Sequence, residues 1–239
     1  DNSQGQLGQN NTVRYSSPIQ IPGSTWEKGM VNYSVSEDTG LEGAIKTDGT
    51  LWVWGLNNYG RLGLNEATPV AHSSPVQVPG TTWSQFSFGD GTMALKTDGT
   101  LWGWGRNNDG ELGLNSKTDY SSPRQVPGTT WDQIAMSSHC TFGIKTDGTL
   151  WSWGQATGGQ DGRNHHEHES SPIQLPGTTW AKVYGGMSRT GAIKTDGTLW
   201  TWGSSTYGAL GLNQGPGAVS SPIQVGSDTT WSELAWNFY

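Results

Sequence analysis

Short stretches of alternating apolar and polar residues recur along the chain with a period of about fifty residues. One ten-residue stretch, Lys-Thr-Asp-Gly-Thr-Leu-Trp-x-Trp-Gly, begins 50, 49 and 49 residues apart, at Lys46, Lys96, Lys145 and Lys194. A companion element, Ser-Pro-x-Gln followed by a tryptophan, ends at Trp26, Trp83, Trp131, Trp180 and Trp231. A fixed period of this length is typical of one supersecondary unit that is copied and stacked, as in propellers and solenoids.

Each copy predicts four short antiparallel strands. In one copy they cover Gly43–Lys46, Leu51–Trp54, Pro75–Val78 and Trp83–Phe88. An Asp-Gly pair separates the first two strands in every copy and predicts a tight hairpin in which both residues have positive φ. Along the second strand a leucine faces one way and two tryptophans face the other, so both faces are expected to be covered. Four strands in about 49 residues describe a propeller blade.

The predicted fold is therefore all-β, a β-propeller of four-stranded antiparallel blades in one domain over residues 1–239. About five blades are visible: a partial copy at about 1–42, then copies at 43–91, 92–140, 141–189 and 190–239. A solenoid of the same units would leave an end face of Trp and Leu uncovered, so a ring is favoured. In the repeat alignment, Asp1 matches Leu56 and Tyr239 matches Gly91. A ring closed from these five copies would therefore contain one blade that lacks its first two strands. We expect a fragment of a longer chain.

The motif Lys-Thr-Asp-Gly-Thr-Leu-Trp-x-Trp-Gly-x-Asn-x-x-Gly-x-Leu-Gly-Leu-Asn resembles the regulator of chromosome condensation repeat family. The resemblance covers essentially the whole chain and implies a seven-bladed ring. The family often has a histidine shortly before the first strand's lysine. The matching positions here are Leu41, Gly91, Cys140 and Arg189, and His139 lies one place away.

Composition narrows the function. The chain has 14 tryptophans and 36 glycines, so its core is expected to consist of a small number of large tryptophan side chains. Its net charge of −7 disfavours a nucleic-acid partner, because nucleic-acid binding needs a basic surface. No apolar stretch approaches the length of a membrane span, so no membrane insertion is expected. The single cysteine, Cys140, excludes an internal disulfide. Its neighbour His139 would face away from it on a strand, which disfavours a nucleophilic pair.

Function is expected where the copies differ, on loops at one end of the sheets. One such place is an insertion within residues 30–41, which contains Tyr33. The other is in the third blade, where Gly-x-Leu-Gly-Leu-Asn becomes Gly159–Asn164 and is followed by a charged run. The candidate binding residues are Tyr33, Asp161, Arg163, His165, His166, Glu167, His168 and Glu169.

Histidines at 165, 166 and 168 beside two glutamates suggest a Zn, Ni or Cu site, but such close spacing rarely makes a closed site. A solvated loop is the favoured interpretation, with His165, His166 and His168 kept as metal candidates. The repeated lysines are expected to be solvated charges beside the turns, and the paired tryptophans to be core. Exposed aromatic candidates are Tyr33, Tyr59, Tyr120 and Tyr207.

No catalytic constellation, phosphate-binding loop or cofactor site is recognisable, so the chain is not expected to be an enzyme and no cofactor is assigned. The favoured function is a non-catalytic interaction module that binds a protein or glycan through rim loops. The repeats are similar to those of bacterial and virus-encoded family members, which points to an attachment or structural role at a cell or virion surface. The alternative implied by the resemblance is guanine-nucleotide exchange on a small GTPase. The compartment and the oligomeric state are not fixed by the sequence.

Overall fold

Sixteen strands form four sheets in the computed structural model, which describes residues 1–31, 40–66, 70–165, 167–213 and 217–234. The first blade is β1 (Trp26–Val31), β2 (Leu41–Lys46), β3 (Leu51–Leu56) and β4 (Ala71–Gln77). The second is β5 (Trp83–Phe88), β6 (Gly91–Lys96), β7 (Leu101–Gly105) and β8 (Tyr120–Gln125). The third is β9 (Trp131–Met136), β10 (Cys140–Lys145), β11 (Leu150–Gly154) and β12 (Glu169–Gln174). The fourth is β13 (Trp180–Gly185), β14 (Arg189–Lys194), β15 (Leu199–Ser204) and β16 (Ala218–Gln224).

Every sheet is antiparallel and its strands are paired in chain order, which confirms the predicted blades. Two short 3-10 turns, Asn58–Gly60 and Thr206–Gly208, lie in the loops after β3 and β15. Residues 1–25, in the partial first copy, and residues 226–234, at the end of the last copy, are not in strands. The seven-blade count implied by the resemblance stays a prediction.

The blades are offset from the sequence copies by one strand. Trp83 pairs with Lys96 and Phe88 with Thr92, so the strand that closes one copy opens the next blade. The link at Gly89–Asp90 is therefore a hairpin within a blade, and the prediction that it joins neighbouring blades was wrong. The Pro-Gly-Thr-Thr segment makes that connection instead, for example between β4 and β5.

The connections divide between two ends of the sheets. The Asp-Gly hairpins and the Pro-Gly-Thr-Thr links meet at one, where the Trp83 amide donates to the Gly49 carbonyl at 2.9 Å. We call this the turn end. The β5–β6 type hairpins and the long loops after the second Trp meet at the other, where the Gln155 amide donates to the His139 carbonyl at 2.9 Å. We call this the loop end, and the candidate binding residues in the described part of the chain lie here.

The Asp-Gly hairpins differ in detail from the prediction. Only the glycine has positive φ, 76° at Gly49, which makes a type I turn followed by a one-residue bulge. Asp48 instead accepts a hydrogen bond from the Thr50 hydroxyl at 2.6 Å, and that hydroxyl accepts one from the Trp52 indole at 2.8 Å. These hydrogen bonds hold the pKa of Asp48 below its ordinary value. The same chain recurs in the other three blades, which explains the Asp-Gly-Thr-Leu-Trp motif.

The repeated lysines cap the tryptophans of each blade. In the second blade Trp83 meets Trp102 edge-on, with ring centroids 6.3 Å apart. The ammonium of Lys96 lies 4.8 Å from the Trp83 ring and 4.5 Å from the Trp102 ring. Lys46, Lys145 and Lys194 have the same geometry. The expectation that these lysines are only solvated charges was wrong, because each makes cation–π contacts with two rings.

The second tryptophan of each blade fastens it to the loop before it. The Trp104 indole donates a 2.9 Å hydrogen bond to the Arg61 carbonyl in the loop after β3, and the Thr92 hydroxyl donates to the same oxygen at 2.9 Å. Trp54, Trp153 and Trp202 donate in the same way to the carbonyls of Gln6, Glu111 and Gln160. Trp104, Trp153 and Trp202 are fully buried, as predicted for core tryptophans.

The motif Gly-x-Leu-Gly-Leu-Asn shapes the loop that receives this tryptophan. In the second blade, Leu112 is buried in the same core cluster as Trp153. A Cβ on Gly113, which has φ 69°, would lie 2.7 Å from Trp153 Nε1. Further along, the Asn115 amide donates to the Ser170 carbonyl of the next blade's outer strand at 2.7 Å. The loop is thereby fixed to the following blade at two points.

Replacing Trp153 by Phe is expected to lower the free energy of unfolding by about 1–3 kcal/mol, since it removes a buried hydrogen bond and leaves space. Urea denaturation followed by circular dichroism measures this. Trp151→Phe in the same strand is the control, because that partly exposed indole bonds only to Thr149. Equal losses in the two variants would contradict the role assigned to Trp153.

Candidate functional site

The third blade replaces two loop leucines by a buried ion pair. Asp161 stands where other blades have Leu62, Leu112 and Leu210, and its side chain is 0% exposed. Arg163 is 4% exposed, and its Nε lies 2.8 Å from Asp161 Oδ2. The terminal nitrogens of Arg163 have no hydrogen-bond partner among the described residues. A buried pair of this kind costs desolvation, so it adds little stability compared with two leucines.

Burial raises the pKa of Asp161 above its ordinary value, although the charge of Arg163 opposes the shift. Cys140 is fully buried nearby. Burial, with the Asp161 carboxylate acting in the same direction, raises the pKa of the Cys140 thiol well above its usual range. A buried thiol of high pKa is unreactive. The alternation of side chains along a strand had already disfavoured a Cys140–His139 nucleophile.

The rest of the charged run lies near this pair. His165 Nε2 is 3.9 Å from Asp161 Oδ2, and its Nδ1 accepts a hydrogen bond from the Glu167 amide at 3.1 Å. Glu169 Oε1 is 3.7 Å from Arg163 Nη1. Two candidates, Tyr33 and His166, lie outside the described residues.

His168 turns towards the neighbouring blade. Its Nδ1 lies 3.0 Å from Oδ1 of Asp109, in the loop after β7. The other oxygen of Asp109 is 3.6 Å from Nδ1 of His139, and this nitrogen is also 3.1 Å from Asp90 Oδ2. Arg106 completes the group with a 2.6 Å hydrogen bond to Asp90. We call Asp90, Arg106, Asp109, His139 and His168 the junction cluster.

Sequence reasoning placed His168 in a binding loop but missed the other four members. A signal was present: Asp90 and His139 occupy the same hairpin position in consecutive blades, where Gly40 and Ser188 stand in the other two. Opposite charges at one aligned position indicate a contact across a blade junction. The structure thus separates the histidine run, with His165 towards Asp161 and His168 towards Asp109.

No group of three or more His, Cys, Asp or Glu side chains with metal-site geometry occurs in the described parts of the chain. His165 and His168 contact different carboxylates rather than a common point. Within the same residues, no helix is long and apolar enough to cross a membrane.

Two tyrosines of the loop end are exposed in an unusual backbone conformation. Tyr59 has φ 60° and is 48% exposed, and Tyr207 has φ 57° and is fully exposed. The Tyr59 ring lies 5.4 Å from the guanidinium of Arg106. Tyr120, by contrast, is half-buried and its ring lies 5.3 Å from the guanidinium of Arg124. Left-handed backbone is unfavourable for a tyrosine, which makes these positions candidates for function.

A groove of about 680 Å³ lies beside the first blade, away from the candidate binding residues. Its lining includes Tyr15, Ile19, Trp26, Glu42 and Trp54. Burial raises the pKa of Glu42 to about 8. Trp26 is half-buried at this groove, whereas Trp54 is buried like the second tryptophans of the other blades.

Comparison with known proteins agrees with this architecture. The family model of the regulator of chromosome condensation (RCC1) repeat matches residues 48–95, 98–144 and 196–233. The chain belongs to the RCC1 repeat family. A search of the curated proteins by sequence found no match.

Solved RCC1-type propellers share the fold. Human WBSCR16 is 23% identical with a TM-score of 0.77, over 95% of this chain and 61% of that protein. Saccharomyces cerevisiae Prp20p, studied with its binding properties to Gsp1p and histones, is 18% identical with a TM-score of 0.74, over 88% and 53%. Yeast RCC1 (Prp20) bound to Kap60 is 21% identical with a TM-score of 0.67, over 79% and 48%. The chain thus spans about half to three fifths of these proteins. Its RCC1-like propeller fold is consistent with a protein-interaction module.

Replacing both residues of the buried ion pair by the leucines of the RCC1 repeat motif is expected to reduce the free energy of unfolding less than replacing Arg163 alone. Arg163→Leu alone should cost about 3–5 kcal/mol of unfolding free energy, because it leaves Asp161 buried without its partner. The double variant Asp161→Leu/Arg163→Leu should be neutral or more stable by about 1–4 kcal/mol. Urea denaturation of the three proteins measures both effects.

The pH dependence gives a second readout. Because the folded pKa of Asp161 is raised, the folded state holds this proton more tightly, so its ionisation costs stability as pH rises from about 4. The cost should be larger in Arg163→Leu and absent in the double variant. A double variant less stable than Arg163→Leu would contradict this account.

Proposed function

We propose that this RCC1 repeat propeller is a non-catalytic interaction module that binds a protein partner through its loop end. The observation that carries the proposal is Tyr59, which is 48% exposed at φ 60° although the following blade packs beside its loop; Tyr207 repeats the conformation in the fourth blade at φ 57°. The aligned residues Asp109 and Gly158 do not have positive φ, so the left-handed conformation at this position belongs to the two tyrosines. A glycine would be less strained in left-handed backbone, so keeping a tyrosine there has a cost that folding does not explain.

The surroundings of Tyr207 and Tyr59 suit a binding surface. Large aromatic side chains and arginine are the residues that most often contribute strongly to protein interfaces, and Arg106 lies beside Tyr59. The loop that carries Tyr59 is fastened to the following blade by a backbone hydrogen bond from the Asn65 amide to the Ser121 carbonyl at 2.7 Å. A rigid base lowers the entropy cost of binding.

The structural relatives add support for a protein partner, since the yeast proteins were studied with Kap60, Gsp1p and histones. From the similarity of the repeats to those of bacterial and virus-encoded family members, we further propose an attachment or structural role at a cell or virion surface. A glycan partner and nucleotide exchange on a small GTPase are the competing functions.

Replacing Tyr207 by Gly is expected to raise the free energy of unfolding by about 1 kcal/mol, because it relieves left-handed strain and removes few contacts. The same change should weaken partner binding at least tenfold if Tyr207 is an interface anchor. Thermal denaturation measures the first effect, and biolayer interferometry with the partner measures the second. Thr129→Ala, an exposed change at the turn end, is the control. Unchanged affinity in Tyr207→Gly would remove the support for the loop end.

Parallel assays separate the three functions. The labelled chain is applied to a protein array and a glycan array, and release of labelled GDP is followed from a panel of small GTPases. Protein binding that is lost in Tyr59→Gly/Tyr207→Gly and kept in Thr129→Ala supports the proposal. Specific sugar binding alone, or accelerated GDP release, would replace it with the corresponding alternative.

A further inference from the structure

The junction between the second and third blades differs from its neighbours in charge. The hairpin position that holds Asp90 and His139 here holds Gly40 in the first blade and Ser188 in the fourth. The loop position of Asp109 is taken elsewhere by Tyr59, Gly158 and Tyr207, and that of His168 by Ala71, Asp119 and Ala218. Two aspartates of the second blade therefore meet two histidines of the third at this junction.

The contacts cross the junction in pairs. His139, in the β9–β10 hairpin, lies 3.1 Å from Asp90 and 3.6 Å from Asp109. His168, in the β11–β12 loop, lies 3.0 Å from the other oxygen of Asp109. All four side chains are between 20% and 35% exposed, but the His139 Nδ1 atom that faces both aspartates is buried, so water screens these charges only partly.

We propose that Asp90, Asp109, His139 and His168 form a proton-dependent latch that joins the second and third blades. When the histidines are protonated, the latch holds the loop after β7 against the loop after β11. When His139 loses its proton, Asp90 and Asp109 face a neutral ring and this contact across the junction weakens, while the backbone hydrogen bonds that anchor both loops remain. As a regulator of partner binding at the loop end, the latch rests on the function proposed above.

Other charged groups at the junction set the direction of the pH response. His139 faces three acidic residues of the second blade, Asp90, Asp109 and Glu111. Arg106 donates a hydrogen bond to Asp90, and the charge of Arg61 also lowers the pKa of Asp90. The contact with Asp90 raises the pKa of His139 above its ordinary 6.5, although burial opposes it. Burial raises the pKa of Glu111 to about 7, so above that pH it adds a third negative charge.

Both shifts act in the same direction. A histidine whose pKa is raised in the folded protein stabilises the junction fully below its unfolded pKa, and loses that effect as pH rises through the folded pKa. Glu111, whose pKa is raised from 4.5 to about 7, holds its proton more tightly in the folded protein, so its burial costs stability progressively as pH rises between those two values. The latch is therefore closed in mild acid, below about pH 6.5, and opens as pH rises.

Nuclear magnetic resonance titration of the histidine ring protons tests the latch without any partner. The chain has five histidines, and single His→Asn variants assign them. In the native chain the His139 midpoint should lie above 6.5, and in Asp90→Asn it should fall, because the contact with Asp90 is the main cause that raises it. Asp109→Asn should also lower the His139 midpoint, by less than Asp90→Asn does. His72→Asn is the control, since His72 pairs with Glu66 within the first blade at 2.7 Å.

Hydrogen exchange then reports on the loops. After correction for intrinsic rates, amides of residues 106–119 and 155–165 should exchange at least tenfold more slowly at pH 5.5 than at pH 8 in the native chain and in His72→Asn. That difference should vanish in Asp90→Asn and in His139→Asn. A His139 midpoint that neither aspartate variant moves, or loop protection that is equal at the two pH values, would overturn the latch.

Partner binding distinguishes the two proposals. A latch seen by titration and exchange, with partner affinity equal at pH 5.5 and pH 8, would overturn the regulatory role and leave the binding function standing. Absence of any protein partner would overturn the binding function, whereas the titration and exchange results would still decide whether the latch exists.

Discussion

The architecture depends on one hydrogen bond, repeated at successive junctions, from a buried indole N–H to a main-chain carbonyl in the loop of the preceding blade. Trp104, Trp153 and Trp202 each donate this bond, and a threonine of the same blade donates a second one to the same oxygen. A single carbonyl thus fixes both the loop and the position of the next blade. Because the acceptor belongs to the backbone, the side chain at that residue is free to differ, and it is Arg61, Glu111 or Gln160.

Much of the fold was readable in the sequence because large core residues repeat at a fixed interval. The strands, their antiparallel order and the enclosed tryptophans follow from that period and from the alternation along Leu51–Trp54. The grouping of strands into blades did not follow, since a periodic sequence has no marked starting point. The pairing of the Trp83 strand with the Lys96 strand depends on their spatial contact, which the period of the repeat does not determine. The lysine contacts were missed because a charged residue beside a turn usually faces water.

The candidate site was predictable only where one copy departs from the others. The change from leucine to Asp161 and Arg163 marked the third blade, and the structure turns that change into a buried ion pair. The partner of His168 was hidden, because aligning the copies places equivalent residues together, whereas His168 and Asp109 come from non-equivalent loop positions. Asp90 and His139 share an alignment column, yet they meet as neighbours around the ring.

The one-strand offset between copies and blades has a consequence for how such a chain can lengthen. Each complete copy contributes three strands to one sheet and one strand to the next. A copy gained by tandem duplication would therefore arrive already interleaved with both of its neighbours, needing no new linker. Loss of part of a copy would damage two sheets at once. Growth of these repeats by whole units is thus favoured by hydrogen bonding itself, whatever selection later does with the loops.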